Sequence, residues 1–225
     1  YPEVLQAGVE VLEALGYWVQ VPERELADGR TLYDSGLLSL ARRLLRQVLE
    51  TLRPQIEAGV PLVGLEPSSV AVFRDELVNL FPDDQNARRL SQQSFLLSEF
   101  LEQKAEGHEL PKLHRKAVVH GHCHHKAIMT MAADERVLSK LGLDYTVLES
   151  GCCGMAGGFG YEKDHYDLSI QVGERILLPA VRAAPKDALI VADGFSCRQQ
   201  IAHGTDRRAL HLAQVMQMAM REGPG

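Results

Sequence analysis

The sequence of 225 residues has no long apolar run. No stretch approaches the ~18 consecutive apolar residues that a transmembrane helix needs. A basic segment followed by an apolar one, the mark of a secretory signal, is missing from the start of the chain. These two absences predict a cytoplasmic protein. The chain also begins at Tyr1 without a Met, which we interpret as a piece of a longer polypeptide.

An excess of positive charge is missing as well. Lys and Arg number 24 against 30 Asp and Glu, which gives a formal net charge of -6. Nucleic acid and acidic membrane surfaces attract proteins through a basic face, so neither is expected as a main partner. With 45% hydrophobic residues, the chain can bury a core without cross-links.

Cysteine is missing from the first half, and the second half holds all four cysteines: Cys123, Cys152, Cys153 and Cys197. Disulfides are disfavoured in a reducing cytoplasm, and adjacent cysteines such as Cys152 and Cys153 join each other only with strain. Metal binding or thiolate chemistry is therefore the better interpretation.

Hydrophobic periodicity predicts strands that alternate with long helices. Short apolar segments predict strands at residues 17–21, 60–67, 116–123, 143–150 and 188–195. Helical spacing of apolar residues predicts helices at 2–16, 37–59, 68–81, 125–142, 165–184 and 208–221, with a helix and a polar connector within 83–107. Ser68 or Ser69 is the expected N-cap of the third helix. Strands separated by helices imply βαβ units, so we expect an α/β fold with a small parallel sheet in each half.

The two halves match in sequence, which predicts an internal duplication. The segment "LEALGYWVQVPERELADGR" aligns with "LSKLGLDYTVLESGCCGMA", and "PLVGLEPSSVAVFRDEL" aligns with "ALIVADGFSCRQQI". Ala27, Asp28 and Ser69 then stand where the second half has cysteines. We expect two tandem Rossmann-like repeats, residues 1–107 with a connector helix and residues 108–225, and only the second keeps its thiols. The alternative is that any two βαβ units look alike at this level.

Each cysteine lies at the end of a predicted strand: Cys123 closes one, Cys152 and Cys153 open the loop after the next, and Cys197 follows the third. In a parallel sheet the carboxyl ends of the strands face one side, so residues that are distant in sequence converge there. The intervals between the cysteines do not have the spacing of a zinc ribbon. We therefore expect the fold to assemble one site from the four thiols.

The order of one cysteine, then "GCCG", then "GFSC" resembles the cysteine-rich CCG domain found in the B subunit of heterodisulfide reductase and in the glycolate oxidase iron-sulfur subunit. The segments "VHGHCHHKA", "ESGCCGMAGGFGYEKDHYDLS" and "VADGFSCRQQI" are most similar to the C-terminal iron-sulfur part of large FAD-linked 2-hydroxy acid oxidases. "YDSGLL" and "GLEPSSVAVFRDEL" fit the first copy of the domain. The resemblance implies two Rossmann-like repeats that bind an iron-sulfur cluster, which passes electrons onward from a flavin.

The sequence departs from that pattern in two places. The first copy of the domain usually reads Cys-Cys-Gly-Arg where this chain has "ADGR", and Cys where it has Ser69, so we expect no metal in the first half. Heterodisulfide reductase places a further cysteine where this chain has Gly194. A four-thiolate [4Fe-4S] cluster is therefore expected rather than one held by five thiolates, with zinc as the alternative in an aerobic preparation. The expected ligands are Cys123, Cys152, Cys153 and Cys197.

Glycines and histidines surround these cysteines in the sequence. We expect Gly151 and Gly154 to let the backbone approach the cluster sulfurs, because the spacing of a phosphate-binding glycine loop is absent. His122 and His125 are expected to be polar neighbours that support the ligands. Direct ligation by His122, His124 or His125 is the alternative, since imidazole replaces thiolate at some zinc and Rieske-type sites.

The resemblance implies an electron-transfer module of an FAD-linked oxidoreductase that acts on a 2-hydroxy acid of the D-lactate or glycolate class. FAD and the substrate would then bind a missing domain or a flavin-containing dehydrogenase subunit, with another iron-sulfur domain as a further partner. The chain alone is not expected to be catalytic, and membrane association is expected only through an electron acceptor. The alternatives are a structural zinc scaffold and a thiol redox enzyme with Cys152 or Cys153 as nucleophile.

Overall fold

The computed structural model describes residues 2–104 and 109–222, and its helices and short parallel strands form an α/β fold, as the sequence predicts. The strands are β1 Leu62–Gly64, β2 Ser94–Leu96, β3 Lys116–Val119, β4 Asp144–Val147 and β5 Leu189–Val191. The helices are α1 Pro2–Ala14, α2 Arg30–Asp34, α3 Leu38–Thr51, α4 Arg53–Glu57, α5 Pro67–Arg74, α6 Glu76–Leu80, α7 Gln85–Gln93, α8 Leu97–Lys104, α9 Ala132–Lys140, α10 Tyr166–Glu174, α11 Leu177–Ala183, α12 Phe195–Gly204 and α13 Leu212–Glu222. A π-helical turn covers His125–Met129, and a 3-10 turn covers Phe159–Tyr161.

Each half of the chain has its own parallel sheet. In the first half, β1 pairs with β2, with Leu62 opposite Ser94. In the second half, the strand order is β4-β3-β5, and Ala117 of the central strand lies opposite Tyr145 and Leu189. The described strands therefore number two in one half and three in the other, so the sheets alone do not establish two equivalent Rossmann-like repeats. The predicted boundary at residues 107 and 108 lies outside the described residues.

The prediction of a strand at residues 17–21 is wrong, because the structure assigns no strand there. The Tyr17 amide donates to Leu12 O in α1, and the Trp18 side chain is 87% exposed, so this segment follows α1 without joining a ladder. The strand that pairs with β1 is instead β2, inside a segment predicted as helix and connector. All three residues of β2 are buried, so tertiary pairing overrides the local pattern there.

Several predicted helix boundaries also differ. The helix expected at 37–59 divides at Leu52, two residues before Pro54, which cannot donate a backbone hydrogen bond. The helix expected at 125–142 is a π-helical turn and α9, separated by Thr130 with a φ of +63°. The N-cap of α5 is Glu66 rather than Ser68 or Ser69, because its carboxylate accepts the Ser68 amide at 3.3 Å. Helix α12 was not predicted, and it holds one of the cysteines.

The largest apolar cluster joins both ends of the chain. Ala7 and Val11 of α1 pack with Val215 and Met216 of α13 and with Val119 of β3. Helix α1 therefore packs on α13 and shares one apolar core with the sheet of the second half. Across residues 2–104 and 109–222, no helix combines the length and the apolar composition that crossing a membrane requires.

Candidate metal centre

The second sheet positions the four cysteines at one edge. Cys123 follows β3 and lies just before the π-helical turn, whereas Cys152 and Cys153 follow β4 in an irregular loop. Cys197 follows β5 in the first turn of α12. Because β4, β3 and β5 are parallel neighbours, their carboxyl ends bring these distant residues together.

The four thiols form one row. The Cys152 thiol lies near enough to the thiols of Cys123 and Cys153 for them to shift its pKa. The Cys153 thiol is likewise a neighbour of Cys197, at the other end of the row. All four cysteines are free, with Cys123 and Cys152 half-buried and the other two buried. We call this set, Cys123, Cys152, Cys153 and Cys197, the thiol row.

The pKa values of the four thiols in the thiol row are shifted in opposite directions. Hydrogen bonds from Cys123 and Cys153 hold the pKa of Cys152 far below its usual range, although burial opposes this shift. The hydrogen bond from Cys153 likewise lowers the pKa of Cys197, again against the effect of burial. The hydrogen bond with Cys152 makes the largest contribution to the raised pKa values of Cys123 and Cys153. Thiolate character is therefore favoured at Cys152 and Cys197, and a cation placed among the sulfurs would replace the shared protons.

The donor set of the thiol row fits a soft metal or an iron-sulfur cluster. Thiolates are the ligands that hold iron-sulfur clusters, and four of them also suit tetrahedral zinc. The Gly154 amide donates to Cys152 Sγ at 3.3 Å and so adds a backbone donor to the sulfur. The buried His120 Nε2 has no hydrogen-bond partner. An anionic group bound to the thiol row would give it one.

His120 is the residue beside the thiol row that sequence reasoning did not select. Its Nδ1 lies 2.7 Å from Ser150 Oγ, and its ring lies near the Cys197 thiol, although Nε2 makes no hydrogen bond. The side chain is 2% exposed. The sequence places His120 on the same strand face as His122, but only the fold reveals Cys197 as its neighbour.

His122 also lies against the thiol row. Its ring stacks on that of His124, with the centroids 5.4 Å apart, and its Nδ1 accepts the His124 amide at 3.2 Å. Ligand atoms of His122, Cys123 and His124 lie within 4.8 Å of one another. Burial lowers the pKa of His122 to about 3, with the neighbouring histidines adding to the shift, so the ring is neutral at pH 7.

Gly194 marks where His122 limits the site. A Cβ added at Gly194 would run into the His122 ring and lie 3.1 Å from Cys197 Sγ. The further cysteine that heterodisulfide reductase has at this position therefore has no room here while His122 keeps its place.

His125, expected as a neighbour of the ligands, faces a different group. Its Nε2 lies 3.1 Å from Asp134 Oδ2, and that carboxylate also accepts the Ser98 hydroxyl at 2.9 Å. Burial lowers the pKa of His125, but the hydrogen bond and charge of Asp134 outweigh it and raise the pKa overall. A ligand atom each from His125, Asp134 and Asp193 lies within 4.8 Å of the others. This polar group ties α9 to α8 of the first half.

The two glycines of the predicted site differ in their surroundings. Gly154 has a φ of +96°, and a Cβ there would run into the carbonyl oxygen of Ser169. Gly151 has open space around it, with nothing within 4 Å of an added Cβ. The backbone therefore requires glycine beside Cys153 at Gly154, whereas Gly151 could carry a side chain.

The first half has a polar pair at the positions aligned with Cys153 and Cys197. The Ser69 hydroxyl donates to Asp28 Oδ2, and the Arg30 amide donates to Asp28 Oδ1 at 2.8 Å. The Arg30 guanidinium lies 2.6 Å from the buried Glu76 carboxylate and 3.1 Å from that of Asp34. Oxygen atoms and an ion pair thus fill the place where the second half has sulfur.

Glu66 connects the two places. One of its carboxylate oxygens accepts the Ser68 amide and hydroxyl, and the other accepts the Phe195 amide at 2.7 Å. Phe195 opens α12, the helix that carries Cys197. A carboxylate from the first half therefore caps its own helix and also holds the start of α12.

Known proteins resemble the chain over nearly its whole length, although no protein-family model matches it. It is 29% identical to the C subunit of the anaerobic glycerol-3-phosphate dehydrogenase of Escherichia coli strain K12, over 98% of this chain and 56% of that protein. It is 29% identical to D-2-hydroxyglutarate dehydrogenase of Pseudomonas putida, over 97% of this chain and 21% of that protein. It is 28% identical to lactate utilization protein A of Bacillus velezensis, over 94% of this chain and 91% of that protein. The chain thus spans about half of the first relative, about a fifth of the second and most of the third.

Proposed function

We propose that the chain is the iron-sulfur electron-transfer module of a flavin-linked dehydrogenase, of the CCG-domain type. The observation that carries this proposal is the thiol row, in which three strand ends bring four free thiols together. A bound [4Fe-4S] cluster would take up and release single electrons there. The chain's own residues would hold it: the thiolates as ligands and the Gly154 amide as a donor to Cys152.

The relatives support the dehydrogenase part of the proposal. Two of the three are named as dehydrogenases or their subunits, and the third as a lactate utilization protein. Because their named substrates differ, this similarity supports electron transfer more strongly than any one substrate. We propose a 2-hydroxy acid of the D-lactate or glycolate class, oxidised at an FAD site in another domain or in a partner subunit. A further iron-sulfur domain would connect this module to its electron acceptor.

The duplication remains part of the proposal, and local geometry supports it. Gly29 and Gly154 both have left-handed backbones, with φ of +76° and +96°, at the aligned "ADGR" and "CCGM" segments. Helix α5 begins at Pro67 and helix α12 at Phe195, each two residues before the aligned residues Ser69 and Cys197. Two repeats, residues 1–107 and 108–225, would account for both matches.

Metal and sulfide analysis tests the proposal. The parent protein, reconstituted without oxygen, should contain iron and acid-labile sulfide and absorb visible light. The Cys153→Ser and Cys197→Ser variants should lose most of the iron, because an alcohol is a harder and weaker ligand than a thiolate. Ser69→Ala, at the first-half position aligned with Cys197, is the matched control and should keep it.

The competing functions give other results in the same experiment. Zinc without iron or sulfide, even after anaerobic reconstitution, would favour a structural scaffold. Neither metal, together with a rapidly alkylated Cys152, would favour a thiol redox enzyme.

A further inference from the structure

We propose that the chain has a second metal site, in which His125, Asp134 and Asp193 hold one divalent transition-metal ion of the Zn²⁺ type. The three residues lie outside the thiol row and belong to the π-helical turn, to α9 and to the loop that follows β5. The inference goes beyond the proposed function, because this site needs no cluster in the thiol row.

The three side chains are close enough to share one ion. A ligand atom from each residue lies within 4.8 Å of those of the other two. His125 Nε2 and Asp134 Oδ2 are 3.1 Å apart. Nitrogen and oxygen ligands at about 2.1 Å from a tetrahedral zinc lie about 3.4 Å apart, so a shift of a few tenths of an ångström would seat the ion.

His125 distinguishes this group from an ordinary cluster of carboxylates. Its side chain is 1% exposed, and its Nε2 has no partner that meets hydrogen-bond geometry, although Asp134 Oδ2 lies close by. A donor and an acceptor point at each other, whereas two ligands of one ion both point at the ion. The nitrogen and the oxygen therefore have the relation of two ligands.

A small cavity lies among the three residues. His125, Asp134 and Asp193 all line it, and its volume is about 10 Å³. That volume is close to the space of one water-sized sphere, so the cavity suits a single ion and excludes an organic ligand. Apolar side chains, among them Val119 and Leu138, line other parts of it. Carboxylates that face such surroundings gain from a cation that neutralises them.

Neighbouring groups hold the two carboxylates in place. Asp134 Oδ2 accepts the Ser98 hydroxyl at 2.9 Å, and Asp193 Oδ1 accepts the Leu212 amide at 2.8 Å. Hydrogen bonds of this kind orient the carboxylates that bind metals. One imidazole and two carboxylates suit a borderline ion such as Zn²⁺, whereas the thiol row offers soft sulfur. The two sites therefore differ in the chemistry of their ligands.

The test measures zinc in the anaerobically reconstituted parent, after zinc is added and the excess is removed. About one zinc per chain should remain, and X-ray absorption at the zinc edge should show nitrogen and oxygen ligands without sulfur. His125→Gln and Asp193→Asn should each lose this zinc. Zinc should also raise the thermal unfolding midpoint of the parent and leave those of both variants unchanged.

Two matched variants control for the loss of the same groups elsewhere. His124→Gln removes the imidazole next in sequence to His125, and Asp187→Asn removes an exposed carboxylate. Both should keep the zinc at the parent level. If His125→Gln and Asp193→Asn fail to fold, the zinc content and the X-ray absorption of the parent still decide the matter.

Cys153→Ser separates this site from the thiol row. In that background, Asp193→Asn should remove as much zinc per chain as it does in the parent, because the two sites share no ligand. A parent that retains no zinc, zinc bound only through sulfur, or zinc that both His125→Gln and Asp193→Asn keep would overturn the inference and leave the proposed function intact. A parent without iron would overturn the proposed function and leave this zinc comparison intact.

Discussion

The positions that the sequence aligns hold side-chain pairs of different chemistry in the two halves. In the first half, the hydroxyl of Ser69 donates to the carboxylate of Asp28. In the second half, the thiol of Cys153 lies beside that of Cys197. The backbone thus brings an early loop and a later helix start together in both halves. What the pair can bind is decided by its side-chain atoms, hard oxygen in one half and soft sulfur in the other.

The surroundings of the two pairs also differ, in how the charge near each pair is neutralised. Near Asp28, the Arg30 guanidinium pairs with the buried Glu76 carboxylate, so the negative charge of Glu76 is neutralised within the protein. Near Cys197, the neutral ring of His122 leaves the sulfur charge to be balanced by the group that binds there. The first-half pair is therefore suited to stability, and the thiol row to binding a cation or a cluster.

Grafting thiols into the first half should have the largest effect. Ala27→Cys, Asp28→Cys and Ser69→Cys together should raise iron per chain after anaerobic reconstitution, because soft ligands then replace oxygen at positions that the backbone already brings together. Iron per chain, measured beside the parent, tests the alignment. Unchanged iron in a folded triple variant would mean that the two pairs are not equivalent.

Gly154→Ala should cost about 4 kcal/mol of the free energy of unfolding, because it adds left-handed strain to a collision with the Ser169 carbonyl. Gly29→Ala should cost only about 1–2 kcal/mol, since its Cβ would lie 3.2 Å from Ala41 Cα and the strain alone dominates. Gly151→Ala, with nothing nearby, is the control and should stay within about 0.5 kcal/mol of the parent. Urea unfolding of the metal-free proteins measures all three, and equal losses at Gly151 and Gly154 would contradict the described loop.

Arg30→Met should destabilise the protein by about 3 kcal/mol, because it leaves the buried Glu76 carboxylate without its cation. The double variant Arg30→Met/Glu76→Met should recover much of that loss, since two apolar side chains replace the ion pair. Iron content should stay at the parent level in both. A double variant no more stable than Arg30→Met would show that the guanidinium acts through contacts other than Glu76.

Ser69→Ala should have a small effect, about 1 kcal/mol, because one half-buried hydrogen bond to Asp28 is lost. The paired variant Asp28→Asn keeps an acceptor oxygen and should cost less. Thermal unfolding of both variants measures the difference, and a larger loss in Asp28→Asn would place the main role of Asp28 in its charge.

Much of the second sheet could be predicted from sequence. The strands around Ala117, Tyr145 and Ile190 lie inside their predicted segments, because short runs rich in β-branched and apolar residues between turn residues favour strands. β2 could not be predicted, since "SFL" lies between helical patterns and becomes a strand only by pairing with β1. The segment at Trp18 has a strand-like pattern but no strand beside it.

The candidate site, like the sheets, could be predicted from the sequence only in part. Convergence of the cysteines follows from parallel topology, so a sequence that predicts the strands also predicts their meeting. The partners of the histidines do not follow, because neighbouring residues on a turn face different directions. His120 lies near Cys197, whereas His125 faces Asp134. No spacing rule separates these two residues before the fold is known.

The most direct test of the comparison between the two halves measures how many electrons the protein takes up. A reductive titration of the anaerobically reconstituted protein should take up about one electron per cluster with reversible bleaching of the visible absorption. Cys153→Ser should abolish this uptake, and Asp28→Asn, at the aligned first-half position, should leave it unchanged. Uptake that survives in Cys153→Ser, or that is absent from an iron-loaded parent, would contradict the assignment of redox chemistry to the thiol row.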